Sequence, residues 1–180
     1  MSRPSKNIST IPGNGGTAVG FTDPLLYLEH ERAITLGHVR ELEEAARSIT
    51  EKGFTARSFE SISRVGALLG DMFQKHESLE EQHLFPRLRK INPGMVRAFS
   101  EEHRAMRRLF DSLQSLVRDI EGGRIHGTSV GDLLRTIRDI VTLLRRHVIH
   151  EGDVLAPLVR RGTGGTVSGN AGDVIDPTDK

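Results

Sequence analysis

Between Val130 and Val159 the chain places Leu133, Ile137, Ile140, Leu144, His147, Glu151, Val154 and Leu158 at alternating steps of four and three residues. Only one face of a helix satisfies that spacing, so the stretch is expected to be a long helix buried along one side. Two of the eight seam positions carry ionisable side chains where apolar ones belong. A bundle that accepts them has to supply either a partner or a cation.

Three earlier stretches read the same way. The first runs from Asp23-Pro24, an N-cap and first-turn proline, to about Lys52, where Gly53 stops it. Tyr27, His30, Ile34, His38, Ala45 and Ile49 share its face. The second runs from Thr55 or Ser58 to Ile91 and ends at Asn92-Pro93-Gly94, with Ile62, Leu69, Phe73, His76, Glu80 and His83 along its seam. Pro86 is expected to kink or loosen its last turn. The third runs from about Met95 to Glu121, with Val96, Phe99, His103, Met106, Phe110, Leu113, Val117 and Ile120 inward and Gly122-Gly123 closing it. No useful length of strand-like alternation is present. Four long helices on short connections predict an all-α, antiparallel up-down-up-down four-helix bundle. Its expected span is 21–161, between tails at 1–20 and 162–180 whose glycines and prolines predict disorder.

Composition narrows the function. A net charge of +1 gives no reason to expect nucleic acid or an anionic membrane as partner. With no cysteine in 180 residues, disulfides, thiolate zinc sites and cysteine-held iron–sulfur clusters are excluded. That absence fits a cytoplasmic protein. No apolar run reaches membrane-spanning length, and the first residues lack the apolar segment of a signal peptide. No nucleophile–base–acid triad or phosphate loop stands out, so no catalytic residue is assigned.

The chemistry lies in a repeated arrangement. His76 and Glu80 are four apart, with Leu84 and Pro86 following; His147 and Glu151 are four apart, with Leu155 and Pro157 following. Each pair sits on one helix face. Glu29-His30 before Arg32-Ala33 is echoed by Glu102-His103 before Arg104-Ala105. The gaps from His30 to His76 and from His103 to His147 are 46 and 44 residues, which suggests an internal duplication. Taken singly, each His–Glu pair reads more readily as a helix-surface contact. Taken together, His30, His76, Glu80, His103, His147 and Glu151 read as ligands converging in one half of the bundle. Imidazole and carboxylate without sulfur suit iron or manganese and tolerate zinc. Glu77 and His83 are further candidates, His83 because it returns to the seam seven residues after His76.

With these residues in hand the chain resembles the hemerythrin-like, or HHE cation-binding, domain family over roughly residues 23–160. The resemblance implies a bundle enclosing a dinuclear non-haem iron centre with an oxo or hydroxo bridge. The same six residues would be ligands, and Glu77 corresponds to an extra carboxylate of the iron-sensing eukaryotic member. Two departures set it apart from the oxygen carriers. Arg107 stands where they have a second histidine four residues after the third-helix one, and His147-x3-Glu151 replaces their His-x4-Asp. The expected role is binding of oxygen, nitric oxide, peroxide or iron itself in sensing, storage or stress response, with a separate protein partner if it signals. A peroxide- or nitric-oxide-consuming enzyme and a metal-stabilised structural bundle are the alternatives.

Overall fold

The computed structural model describes residues 24–124 and 128–163, the side chains of 159–163 excepted. The expected tails and the Asp23 cap lie outside the described residues. Every regular element among them is helical: α1 (Pro24–Lys52), α2 (Ala56–Leu79), a π-helical turn (Glu80–Leu84), α3 (Phe85–Arg89), α4 (Pro93–Glu121) and α5 (Ser129–Thr163). None of these helices is long and apolar enough to cross a membrane.

The boundaries have local causes. Gly53 takes φ +84°, a left-handed conformation that an L side chain resists, and its N–H closes on Ile49 O at 3.0 Å. Thr55 and Ser58 form a reciprocal capping box, each side chain accepting the other's backbone N–H at 3.2 Å. The Asn92 side chain accepts from Met95 N–H at 3.1 Å, with Pro93 pre-set in the first turn of α4. Pro86 has no N–H to offer Gln82, and its ring would press on that carbonyl. The turn before it widens, and Phe85 N–H reaches back five residues to Glu80 O. α2 and α3 are therefore one helix loosened in the middle rather than ended.

α1 packs on α2 and α5, and α4 packs on α2 and α5, while the backbones of the diagonal pairs stay apart. The interior divides in two. A large apolar cluster of eighteen buried residues includes Leu42, Ile62, Leu69, Met106, Leu113, Leu133 and Ile140. A smaller one of eight comprises Leu25, Leu28, Leu84, Phe85, Leu88, Val96, Phe99 and Leu155. Each fully buried large side chain contributes about 1.5–3 kcal/mol. The large cluster is thus the main anchor of the fold. Along α1 and α4 the small cluster comes first and the large one second; along α2 with its continuation and along α5 the order reverses.

Candidate metal centre

A layer of ionisable side chains separates the two apolar clusters. His76 and Glu80 come from α2 and its π turn, His103 from α4, and His147 and Glu151 from α5; all five are buried, the two glutamates with 0% exposure. They converge through their outer atoms. Glu80 Oε2 lies 2.8 Å from His103 Nε2, 3.7 Å from His147 Nε2 and 3.9 Å from His76 Nε2. Glu151 Oε2 lies 3.4 Å from His76 Nε2, and the Nε2 atoms of His103 and His147 are 3.4 Å apart. Ligand atoms of His76, Glu80, His147 and Glu151 all fall within 4.8 Å of one another.

Hydrogen bonding leaves this layer unsatisfied. Both oxygens of Glu80, both oxygens of Glu151 and Nε2 of His76 are buried with no aligned hydrogen bond among the described residues. An unpaired polar group costs roughly 1–3 kcal/mol when buried, and a charged one more. Five such atoms in one layer of a core otherwise built of Leu, Ile and Phe are explained by a cation. The donor set, imidazole nitrogen and carboxylate oxygen, is one that iron, manganese and zinc accept. The residues fit a metal.

The far side of each imidazole faces a carboxylate. Glu31 Oε2 lies 3.1 Å from His76 Nδ1, and Glu102 Oε2 lies 3.0 Å from His147 Nδ1. Glu77 Oε1 comes within 3.4 Å of His103 Nδ1 but without hydrogen-bond alignment, and that carboxylate is engaged by the Arg107 guanidinium. A carboxylate on Nδ1 keeps the proton there and turns Nε2 inward as the ligand atom. Aromatic rings fix the planes: Phe85 stacks on His103 at 5.6 Å, and Phe73 and Phe99 meet His103 and His147 edge-on.

Without a cation the layer is held by protons. Burial alone pushes the Glu80 carboxyl up, but the His103 and His147 rings close beside it and the charge of His76 bring it down to about 2. Burial likewise opposes charge on His147, yet Glu102 and Glu80 raise it to about 9. His76 is raised well above its ordinary value, burial being outweighed by Glu151, Glu31 and Glu80. Glu102 is lowered by its hydrogen bond to His147.

Five of the six expected ligands are brought together; His30 is not. It is exposed, while its neighbour Glu31 is buried against His76. One residue is 100° of helix, enough to exchange a core position for a surface one. The seam of α1 runs through Leu25, Leu28, Glu31, Val39 and Leu42, not through His30, Ile34 and His38. The signal was present as a constant offset. His76, Glu80 and Leu84 stand 71 residues before His147, Glu151 and Leu155, and the same step takes Leu28 to Phe99, Glu31 to Glu102, Val39 to Phe110 and Leu42 to Leu113. It also takes Arg32 to His103, so the first half has a guanidinium where the second has an imidazole. His83 is half-buried and joins neither group of candidate ligands, because the widened turn carries Leu84 inward in its place. Glu77 is buried but turned toward Arg107 and His103 Nδ1. Tyr27, a turn before Glu31, donates its hydroxyl to Glu31 Oε1 at 3.3 Å.

The hemerythrin HHE cation-binding domain model matches residues 23–164. No curated protein and no solved structure matches the chain. The matched span contains the whole buried His–Glu layer together with all four long helices, and the chain belongs to the hemerythrin HHE cation-binding domain family.

Proposed function

We propose that the buried layer holds two iron ions, non-haem and dinuclear, with His76, His103, His147, Glu80 and Glu151 as protein ligands. The observation that carries this reading is the set of four donor-free carboxylate oxygens among three inward imidazole nitrogens. Five side chains underfill two iron ions, so positions remain open for a small ligand such as oxygen, nitric oxide or peroxide. A bound iron pair supplies Lewis acidity and one-electron redox chemistry. The protein's own contribution is to set the tautomers through Glu31 and Glu102, hold the rings between phenylalanines, and keep bulk water out with the two apolar clusters.

The role that follows is binding of such a ligand, or of iron itself, in a cytoplasmic sensing, storage or stress-response protein, with a separate partner if a signal is passed on. The reversed order of the clusters along successive helices supports an antiparallel up-down-up-down bundle around the centre. Elemental analysis of the protein as isolated tests the reading. Two irons per chain are expected. One ion per chain would favour the tighter set of His76, Glu80, His147 and Glu151 alone, and none would overturn the proposal.

A further inference from the structure

Three imidazoles face the layer, but only two are satisfied on their outer side. Nδ1 of His76 meets Glu31 at 3.1 Å, and Nδ1 of His147 meets Glu102 at 3.0 Å. Nδ1 of His103 belongs to a side chain with 0% exposure and has no aligned hydrogen bond among the described residues. It is aimed at carboxylates all the same. Glu77 Oε1 is 3.4 Å away, and ligand atoms of His103, Glu77 and Glu81 fall within 4.8 Å of one another. Glu77 and Glu81, one helical turn apart, step from the interior to the surface: the first is buried and the second exposed. A surface groove of about 750 Å³ between α2 and α4 reaches Glu77, with Asp71 and Asp111 also along it. A positive group already stands at Glu77, the half-exposed guanidinium of Arg107 on its long flexible stem. The inner layer, by contrast, is shut, because Glu80, Glu151 and His103 have no exposed surface. The His103 ring lies between the two regions, with Glu77 at its Nδ1 and Glu80 Oε2 2.8 Å from its Nε2.

We propose that Glu81, Glu77 and Nδ1 of His103 form an outer loading site, where a divalent cation displaces Arg107 and lodges before it passes the ring to Glu80. The proposal rests on the metal reading above and adds the route of entry. A neutral imidazole has one lone pair, so His103 serves the outer site or the inner layer but not both at once. Its proton is on Nε2 while Nδ1 holds the ion, and on Nδ1 once Nε2 does, so the ring neither gains nor loses one overall. Loading therefore empties the outer site, which adds nothing to the final metal content. It leaves Nδ1–H to Glu77, the arrangement that His76 and His147 have with Glu31 and Glu102.

Ferrous iron is the probe, added without oxygen to the full chain after the metal is stripped and its helical circular dichroism checked. Two quantities are read: how fast iron becomes resistant to a strong chelator, and how much is held at the end. Glu81→Gln removes the exposed carboxylate, and Arg107→Gln removes the competing charge. Glu60→Gln, exposed near the other end of α2, controls for net charge. Glu81→Gln should slow loading roughly tenfold or more, Arg107→Gln should speed it roughly threefold or more, and Glu60→Gln should stay within about twofold, the first two being the scale on which local charge alters an on-rate. All three should reach the parent's final iron content. An unchanged rate in Glu81→Gln overturns the proposal, and so does equal slowing in Glu60→Gln, which would make the effect one of net charge. Arg107→Gln that loads no faster than the parent overturns it as well, because Arg107 would then not be occupying the site. A lower final content in Glu81→Gln makes that residue a lasting ligand and overturns the loading role. A parent that takes up no iron overturns the metal reading and this inference together, whereas iron taken up at a rate indifferent to Glu81 sinks only the inference.

Discussion

Glu31 Oε2 sits 3.1 Å from Nδ1 of His76, across the interface between the first and second helices. The relationship recurs at the same sequence separation of 45 residues between Glu102 and His147. A carboxylate in this place orients the ring and raises its basicity, and losing one typically costs 10–100-fold in metal affinity. Glu31→Gln is therefore expected to weaken cation binding about tenfold or more, measured by competition with a chromophoric chelator. His30→Ala, one residue away and exposed, should bind as the parent does. The reverse pattern would return the ligand role to His30.

Glu77 and Glu80 are separated by less than one turn but differ in commitment. Glu77 is engaged by Arg107, whereas Glu80 has no hydrogen-bond partner at either oxygen. Glu77→Gln should leave the metal-to-chain ratio unchanged, and Glu80→Gln should lower it. Elemental analysis of the two variants, purified side by side, decides between them.

Removing the cation should cost stability but not the fold, because the large apolar cluster lies wholly on one side of the layer. A ligand at about 100 times its Kd stabilises by about 2.7 kcal/mol, which for a domain of this size moves Tm by roughly 5–10 °C. Scanning calorimetry with and without a strong chelator should show a shift of that order. Glu80→Gln should lose most of it while its helical circular dichroism persists at 25 °C.

The pH dependence has a definite sign. His147 is raised from 6.5 to about 9 in the metal-free layer, so its protonation stabilises that state fully below 6.5, and this contribution is lost as pH rises through about 9. Glu80 is lowered from 4.5 to about 2, so its ionisation stabilises above 4.5, and this contribution is lost as pH falls through about 2. A ligating imidazole must be neutral, so a cation has to displace the His147 proton. Metal affinity should therefore rise from pH 6.5 to 9, with proton release on binding, and the Tm difference between loaded and metal-free protein should widen over the same range. Isothermal titration in buffers of different ionisation enthalpy counts the protons; a flat profile would mean that His147 is not a ligand.

The helix ends and most of the centre were legible in the chain because their causes are local. Gly53, Asn92-Pro93 and Gly122-Gly123 stop helices by their own backbone chemistry, and His76–Glu80 and His147–Glu151 advertise a shared face by spacing alone. What was not legible turned on phase. In α1 a histidine stands on each side of the true seam, at His30 and His38, and the deciding residue, Glu31, is one that composition alone assigns to solvent. In α2 the count from His76 to His83 assumes a regular helix, and the widened turn between Glu80 and Leu84 shifts the phase beyond it. The first failure concerns a long-range contact, Glu31 with His76, which a window of one helix does not contain; the second is local, since Pro86 announces a loosened turn but not the direction in which the phase moves.

That widened turn sets two demands against each other. A one-residue deletion between Leu79 and Phe85 would let the backbone run as a regular spiral, with only the carbonyl that faces Pro86 left without a partner, yet it would swing Glu80 or everything beyond it out of alignment with the opposite helices. The flaw is worth keeping only while something must be gripped there, so sequences that abandon the cation should be free to repair it.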